Sequence, residues 1–387
     1  MISNKIIVIE NQNLTKHLVD RLDFKNNYHG FFIECWNLLP IINYKLFLKY
    51  KFINIKSKNK FINIFSVKQL LKMIFNIEKK NFYYLNNCGV NFTATIIDII
   101  LFFKGGKKIL FLPCEYKLNI SYHDRIQAIF NFSIIYFFKK IFYYILSQLI
   151  ENFSKLITPR PNFFFVGNNF IFKKLKKKNV HKFSSPEFEK FLNTKSKKEK
   201  KYVVYIDQDM FKSFDEEVNR NQKQILDVTE YEKNLFRTIK KIANHKILKK
   251  YPLIAAVHPR RKKKFNLKTK TVFNKTYEVI SKAQVVLAHT SLAINYAVLL
   301  NKPIILLNAK NFFNAENLAN INFLRNQLQL LTIDISENYL MKINKIKKIS
   351  FNKKKYKKFR DEFINFPIYQ YKNRWEKVSE ILKNLNK

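Results

Sequence analysis

The sequence predicts an α/β protein built from two doubly wound units. Three observations lead there. Short β-branched runs alternate with helical stretches, which argues for parallel sheets covered by helices on both faces. The length of 387 residues suits two domains. A basic, polar stretch at 171–201, short of long apolar runs, separates one such pattern from a second.

In the first pattern, residues 5–10 (KIIVIE) read as an opening strand, and His29-Gly30-Phe31-Phe32-Ile33, followed by Glu34, Cys35 and Trp36, as a second. Strands are expected at 83–86 (YYLN), 97–103 (IDIILFF), 108–113 (KILFLP) and 162–166 (NFFFV), with a helix at Val67–Ile77. Gly105-Gly106 reads as a turn, and Cys88-Gly89 as a strand end open to close backbone approach.

The connection at 171–201 carries one short helix at 186–193. Tyr202–Ile206 (YVVYI) is a continuous β-branched run, the mark of a strand buried on both faces. A helix follows at Glu230–Leu248, a strand at Leu253–Val257, a strand at Val285–Ala288, a helix at Leu292–Leu300 and a strand at Ile304–Leu307. The tail from Lys354 to Lys387 reads as helical apart from Pro367. The expected domains are therefore 1–170, a linker at 171–201, a second α/β domain at 202–345 and a helical tail at 346–387.

Composition narrows the partners. Lys and Arg number 72 against 28 Asp and Glu, a net charge of +44 that attracts polyanions. The charge is spread along the chain, and no zinc finger, RRM-type signature or glycine-rich RNA loop accompanies it, so no nucleic acid is expected. Lysines scattered among aromatics suit an anionic membrane surface. The longest apolar stretch, 126–150, is broken by Lys139-Lys140; it reads as a buried helix pair or as an aromatic, basic face on a bilayer, and not as a membrane span. Cys35, Cys88 and Cys114 are odd in number and widely spaced, which gives neither a disulfide framework nor a zinc site and fits a reducing, cytoplasmic setting.

Three constellations sit at the carboxyl ends of expected parallel strands, the edge where open α/β sheets bind ligands. In Ala256-Val257-His258-Pro259-Arg260, proline ends the ladder and aims His258 off the edge, where an imidazole and the Arg260 guanidinium suit a phosphate. In residues 285–307 a buried strand runs through His289-Thr290-Ser291 into a helix; Thr290 or Ser291 is a good N-cap, and the helix start suits an anion. In Asp207-Gln208-Asp209 a carboxylate is available as a general base, or as the cap of the segment that follows. Asp207-Gln208-Asp209 is formally a DxD triplet, which keeps metal binding open, although no metal or cofactor is called for.

These motifs resemble those of the GT-B glycosyltransferases that use cytidine-linked donors, the bacterial sialyltransferases and their relatives in capsule and lipopolysaccharide assembly. The shared order is an acidic motif after a strand, a His-Pro motif, then a Ser/Thr pair before a helix; here it is Asp207-Gln208-Asp209, His258-Pro259 and Thr290-Ser291. The acidic motif of that family ends in glycine, where this chain has Met210. The likeness spans 202–308. It implies a GT-B-like pair of domains with the site in the cleft between them, a base at Asp207 or Asp209, and donor-phosphate contacts from His258, Thr290 and Ser291. It further implies transfer of a sugar, such as a sialic acid, from a nucleotide-sugar donor to a glycan or lipid-linked acceptor at the cell surface, by an enzyme at the cytoplasmic face of the membrane. The same motif logic occurs in polyol-phosphate transferases of teichoic-acid type. A basic nucleic-acid-binding protein and a non-catalytic scaffold are the rival classes.

Overall fold

The computed structural model describes residues 4–11, 30–49, 60–77, 82–88, 92–112, 156–175, 179–183, 185–194, 201–208, 228–258, 267–313, 315–335, 343–344, 346, 348–364 and 374–384. In chain order the first unit comprises β1 (Asn4–Glu10), β2 (Phe31–Asn37), α1 (Leu39–Ile42), α2 (Tyr44–Lys49), β3 (Lys60–Asn63), α3 (Val67–Phe75), β4 (Phe82–Asn86), α4 (Phe92–Phe103), β5 (Lys107–Leu112), β6 (Phe163–Val166), α5 (Asn169–Leu175) and β7 (Val180–Lys182). The second follows with α6 (Pro186–Asn193), β8 (Tyr202–Ile206), α7 (Val228–Ala243), β9 (Leu253–Val257), β10 (Lys270–Phe273), α8 (Thr276–Ser281), β11 (Ala283–Ala288), α9 (Ile294–Leu299), β12 (Ile304–Asn308), α10 (Ala315–Leu328) and β13 (Leu331–Asp334). Helices α11 (Lys353–Phe359), which runs into a π-helical turn at Arg360–Ile364, and α12 (Arg374–Asn384) complete the chain.

Seven strands form one sheet in the order β3-β2-β1-β4-β5-β6-β7, and six form the other in the order β10-β9-β8-β11-β12-β13. Every described pairing is parallel. Each sheet winds outward from its first strand in one direction and then in the other, so each has a topological switch point: β1/β4 in the first, β8/β11 in the second. This is the two-unit, doubly wound GT-B-like architecture the sequence predicts. Parallel strands are buried on both faces, and the apolar runs supply both: Ile7, Ile9, Tyr84 and Phe82 pack one side of the first sheet, and Ile6, Val8, Tyr83 and Leu85 the other.

Two expectations are corrected. Residues 97–103 are not a strand but the last two turns of α4. A short apolar run has no periodicity to tell a buried strand from an apolar helix, and this one begins with Phe92, upstream of the run. The stretch 171–201, expected as connection with one short helix at 186–193, contains that helix as α6 but also most of α5 and the edge strand β7. Ser185 caps α6 by accepting the Phe188 amide, and Phe188 lies in the second core. Gly105-Gly106 does form the expected turn: Gly105 has φ of 86°, and a Cβ on Gly106 would meet the Phe82 ring at 2.6 Å.

The chain end ties the units together. Tyr356, Phe359, Phe363 and Ile364 pack into the second core, and then α12 returns to the first, burying Trp375, Val378 and Leu382 against it. Trp375 meets Phe111 edge-on at 5.2 Å. Between the units, Asn169 Nδ2 donates to the Asp361 carbonyl at 2.6 Å, and Phe170 lies 5.6 Å from Phe363.

Candidate active site at the second switch point

Adjacent strands β9, β8 and β11 all end at one edge of the second sheet, with Ile206 opposite Ala256 and Leu287 opposite Tyr205. Their next residues, His258, Asp207-Gln208 and His289-Thr290, therefore stand side by side. Two interstrand spacings, about 10 Å, separate the outer pair of strands. Residues from β8 and β11 flank the switch point itself.

Side-chain bonds join the three ends. The Asp207 amide donates to the Ala256 carbonyl at 3.0 Å and its Oδ2 accepts the His258 amide at 3.2 Å, so the buried carboxylate fixes the turn that carries His258. Across the switch point, the Thr290 amide donates to Gln208 Oε1 at 2.8 Å, and Gln208 Nε2 donates to Thr290 Oγ1 at 3.2 Å. This reciprocal pair ties the ends of β8 and β11 together where the chain leaves the two strands. Thr290, Ser291 and His258 keep partial exposure at the rim.

His289, expected with Thr290 and Ser291 among the phosphate-binding residues, has its ring turned away from the rim. It is fully buried, and both ring nitrogens are used within the protein: Nδ1 faces the Leu307 carbonyl, and Nε2 lies 2.8 Å from the Tyr231 hydroxyl. The carbonyl only accepts, so Nδ1 carries the proton and Nε2 accepts from Tyr231. Burial pushes the imidazole down from its ordinary 6.5 to about 4, against the opposing pull of the Leu307 carbonyl and Asp207. It is thus a neutral post that holds β11 to β12 and to α7, with Phe313 edge-on at 5.2 Å. Its ring is turned into the core, next in the chain to the Thr290-Ser291 turn.

Nor do Thr290 and Ser291 cap the helix as expected. Helix α9 begins at Ile294 with Ala293 in the cap position and no side-chain cap. Ser291 Oγ accepts the Ala293 amide at 3.2 Å, and its carbonyl accepts the Ile294 amide at 2.9 Å, so a tight turn intervenes between strand and helix. The far end of α9 is closed by Asn301, whose φ of 53° is the left-handed stop in which asparagine is tolerated. Asp209, Pro259 and Arg260 lie outside the described residues, as does the stretch 126–150.

Sequence reasoning passed over several edge residues. Within Asp207-Gln208-Asp209 the sequence assigns chemistry to the two acids and none to Gln208, which forms both side-chain bonds to Thr290. Tyr231 carries no motif, and its role depends on α7 crossing the His289 turn. On β12 and β13, buried Asn308 donates through Nδ2 to Asp334 Oδ2 at 2.8 Å. The first sheet repeats the device at its own switch point: Asn87 Nδ2 donates to Glu10 Oε1 at 2.6 Å, and Asn11 Nδ2 donates to the Cys88 carbonyl at 3.3 Å. Glu10 is fully buried there. Burial, and after it the charges of Glu10 and Asp98, pushes the Cys88 thiol well up, which makes it an inert neutral group. Among the described residues no group of three or more His, Cys, Asp or Glu side chains is gathered for a metal ion.

Solved structures share this fold. The wall teichoic acid polymerase TagF in its H444N form with CDPG matches with a TM-score of 0.50 at 10% identity, over 99% of this chain and 89% of that one. The glycotransferase of kitacinnamycin matches with a TM-score of 0.49 at 9% identity over 99% of both chains. A UDP-GlcNAc 2-epimerase of Methanocaldococcus jannaschii, in complex with UDP-GlcNAc and UDP, matches at 0.47 and 14% identity, over 98% of this chain and 99% of that one. The likeness is one of fold. No protein-family model and no curated protein matches the sequence.

Proposed function

We propose that this chain is a glycosyltransferase that holds a nucleotide-activated donor at the second switch point and an acceptor against the first unit. One observation carries the proposal: three neighbouring strand ends bring His258, Asp207-Gln208 and Thr290-Ser291 to one rim, clamped by the Gln208–Thr290 pair. The rim offers the Thr290 and Ser291 hydroxyls and the His258 imidazole, groups of the kind that stabilise a donor phosphate as it gains charge in the transition state. Arg260 adds a guanidinium beside His258 in sequence. Of the two acids, Asp207 is engaged by the His258 amide and acts as a positioning group, which leaves Asp209 to take the proton from the acceptor hydroxyl.

For the finer reading we favour a cytidine-linked donor and a sialic-acid-like sugar passed to a cell-surface glycan or lipid-linked acceptor, by an enzyme attached peripherally to the cytoplasmic face of the membrane. No helix among the described residues is long and apolar enough to cross a membrane. Transfer of a polyol phosphate, as the name of the teichoic acid polymerase suggests, is the second reading. The two differ in the bond broken. Sugar transfer from a CMP-sugar breaks the bond from sugar carbon to phosphate oxygen and adds no phosphorus to the acceptor. Transfer from a CDP-polyol breaks the pyrophosphate linkage and adds a phosphodiester to the product.

A thermal-shift screen of CMP, CDP, UDP, GDP and ADP tests the donor site. A matching nucleotide at about 100 times its dissociation constant stabilises by about 2.7 kcal/mol. The matching ligand should lose affinity in His258→Ala and Thr290→Val. If no nucleotide stabilises the protein, or both variants bind as the wild type does, the donor-site reading fails; phosphorus gained by the acceptor decides between sugar and polyol phosphate.

A further inference from the structure

We infer that the outward face of α3 and α4 in the first unit is the surface on which the protein rests against an anionic phospholipid bilayer. The inference rests on the peripheral attachment proposed above and names its surface.

Helix α3 buries Leu70 and Ile74 against the sheet. Beside them, Val67, Leu71 and Phe75 recur every fourth residue and form a stripe along the helix, and all three are exposed, Phe75 by 69%. The next stripe round is Lys68 and Lys72, also exposed. Helix α4 is more unusual. It buries Ile97 and Leu101 inward, as a sheet-covering helix should, yet its outer side carries Ile96, Ile99, Phe102 and Phe103 where polar residues belong. Phe103 is 82% exposed.

The two helices form one surface. Lys104, just past α4, donates to the Phe75 carbonyl at 3.4 Å and sits 5.2 Å above its ring. At the start of α3, exposed Phe65 meets Phe47 of α2 edge-on at 5.5 Å, and α2 adds exposed Tyr44, Lys45 and Leu48. The surface is therefore a belt of aromatic and aliphatic side chains interleaved with lysines.

Charge selects the occupant. Through residues 39–49, 60–77 and 92–107 the one acidic residue is Asp98, which is buried and paired with Lys108. Around an ordinary protein-docking face both signs are mixed; here, among the described residues, only lysines stand beside the large apolar groups. That combination fits anionic headgroups for the ammonium groups and acyl chains for Phe75 and Phe103. Lysine stems lie along apolar surface while their heads reach the phosphates.

Vesicles of phosphatidylglycerol and phosphatidylcholine, against phosphatidylcholine alone, test the surface by co-sedimentation at low salt. The wild type should bind the anionic vesicles and leave them as salt rises. Lys68→Glu with Lys72→Glu should weaken binding by at least roughly 30-fold, about fivefold for each positive charge lost before the repulsion of the new carboxylates is added. Phe75→Ser with Phe103→Ser should weaken it at least as much. The same charge reversal at exposed Lys353 and Lys354, on α11 of the second unit, should change it by no more than about threefold. Phe103→Trp should gain blue-shifted emission, over that of Trp36 and Trp375, that brominated acyl chains quench. If the wild type binds but the α3 and α4 variants bind equally, attachment stands and this surface is overturned. A wild type that ignores anionic vesicles overturns both. A dimer in light scattering that Phe75→Ser with Phe103→Ser dissolves would assign the face to a second copy and overturn the bilayer.

Discussion

His289 provides the sharpest test of how the site is held. In the folded protein its imidazole is neutral, with a pKa of about 4 against an ordinary 6.5. Above pH 6.5 it is neutral in both folded and unfolded states and contributes nothing to pH dependence. Between pH 6.5 and 4 the unfolded chain binds a proton that the folded chain refuses, so stability falls as pH falls. The loss from this residue is about 2 kcal/mol by pH 5 and levels off near 3 kcal/mol below pH 4, at 1.36 kcal/mol per unit. The perturbation is His289→Gln, which keeps a polar group for Tyr231 and Leu307 but cannot titrate. Urea unfolding at pH 7 and pH 5 gives the double difference: wild type minus variant should lose about 2 kcal/mol more stability. Carbon-labelled histidine followed by NMR should show one imidazole titrating far below the rest, and absent in the variant. Equal pH dependence in the two proteins, or no such resonance, would refute the reasoning.

Three further outcomes follow from the geometry. Gln208→Ala removes both bonds across the second switch point and should cost about 1–3 kcal/mol in unfolding free energy while weakening nucleotide binding measured by calorimetry. Asp209→Asn should lower transfer rate roughly 10²–10⁴-fold with nucleotide affinity nearly intact, whereas Asp207→Asn should disturb both by loosening His258; full turnover in both variants would move the base elsewhere. Phe103→Ser should change stability by less than about 0.5 kcal/mol, while Leu101→Ala two residues away should cost about 2–5 kcal/mol, because one faces outward and the other fills the core.

The second unit was the more legible half. Its central strands, Tyr202–Ile206, Leu253–Val257 and Ile304–Asn308, are uninterrupted apolar runs bounded by polar residues, and a buried parallel strand has that signature. The rim residues followed, because in a parallel sheet whatever comes after each strand lands on one edge. What could not be read was direction. His289 and Thr290 are neighbours in a polar triplet, yet one points into the core and the other to the rim. The difference comes from Tyr231, 58 residues upstream, and from the Leu307 carbonyl on the next strand. Edge strands escaped for another reason: β7 is three residues, Val-His-Lys, half-buried, with no apolar run to announce it.

The apolar run at 97–103 that resembles a strand and the surface proposed to face lipid have one physical cause. A surface helix over a sheet should alternate apolar and polar faces every 3.6 residues, and that alternation is what distinguishes it from a strand. Helix α4 lacks the alternation because its outer side is as apolar as its inner side. Only Asp98 interrupts the run from Ile96 to Phe103, and it too is turned inward, to the ammonium of Lys108. An outer face without polar residues carries no folding advantage in water, since Ile96, Phe102 and Phe103 stay exposed in the folded chain. Folding alone therefore does not account for those side chains. The proposed contact with a second apolar phase would account for them, and the lysines beside them match an anionic one.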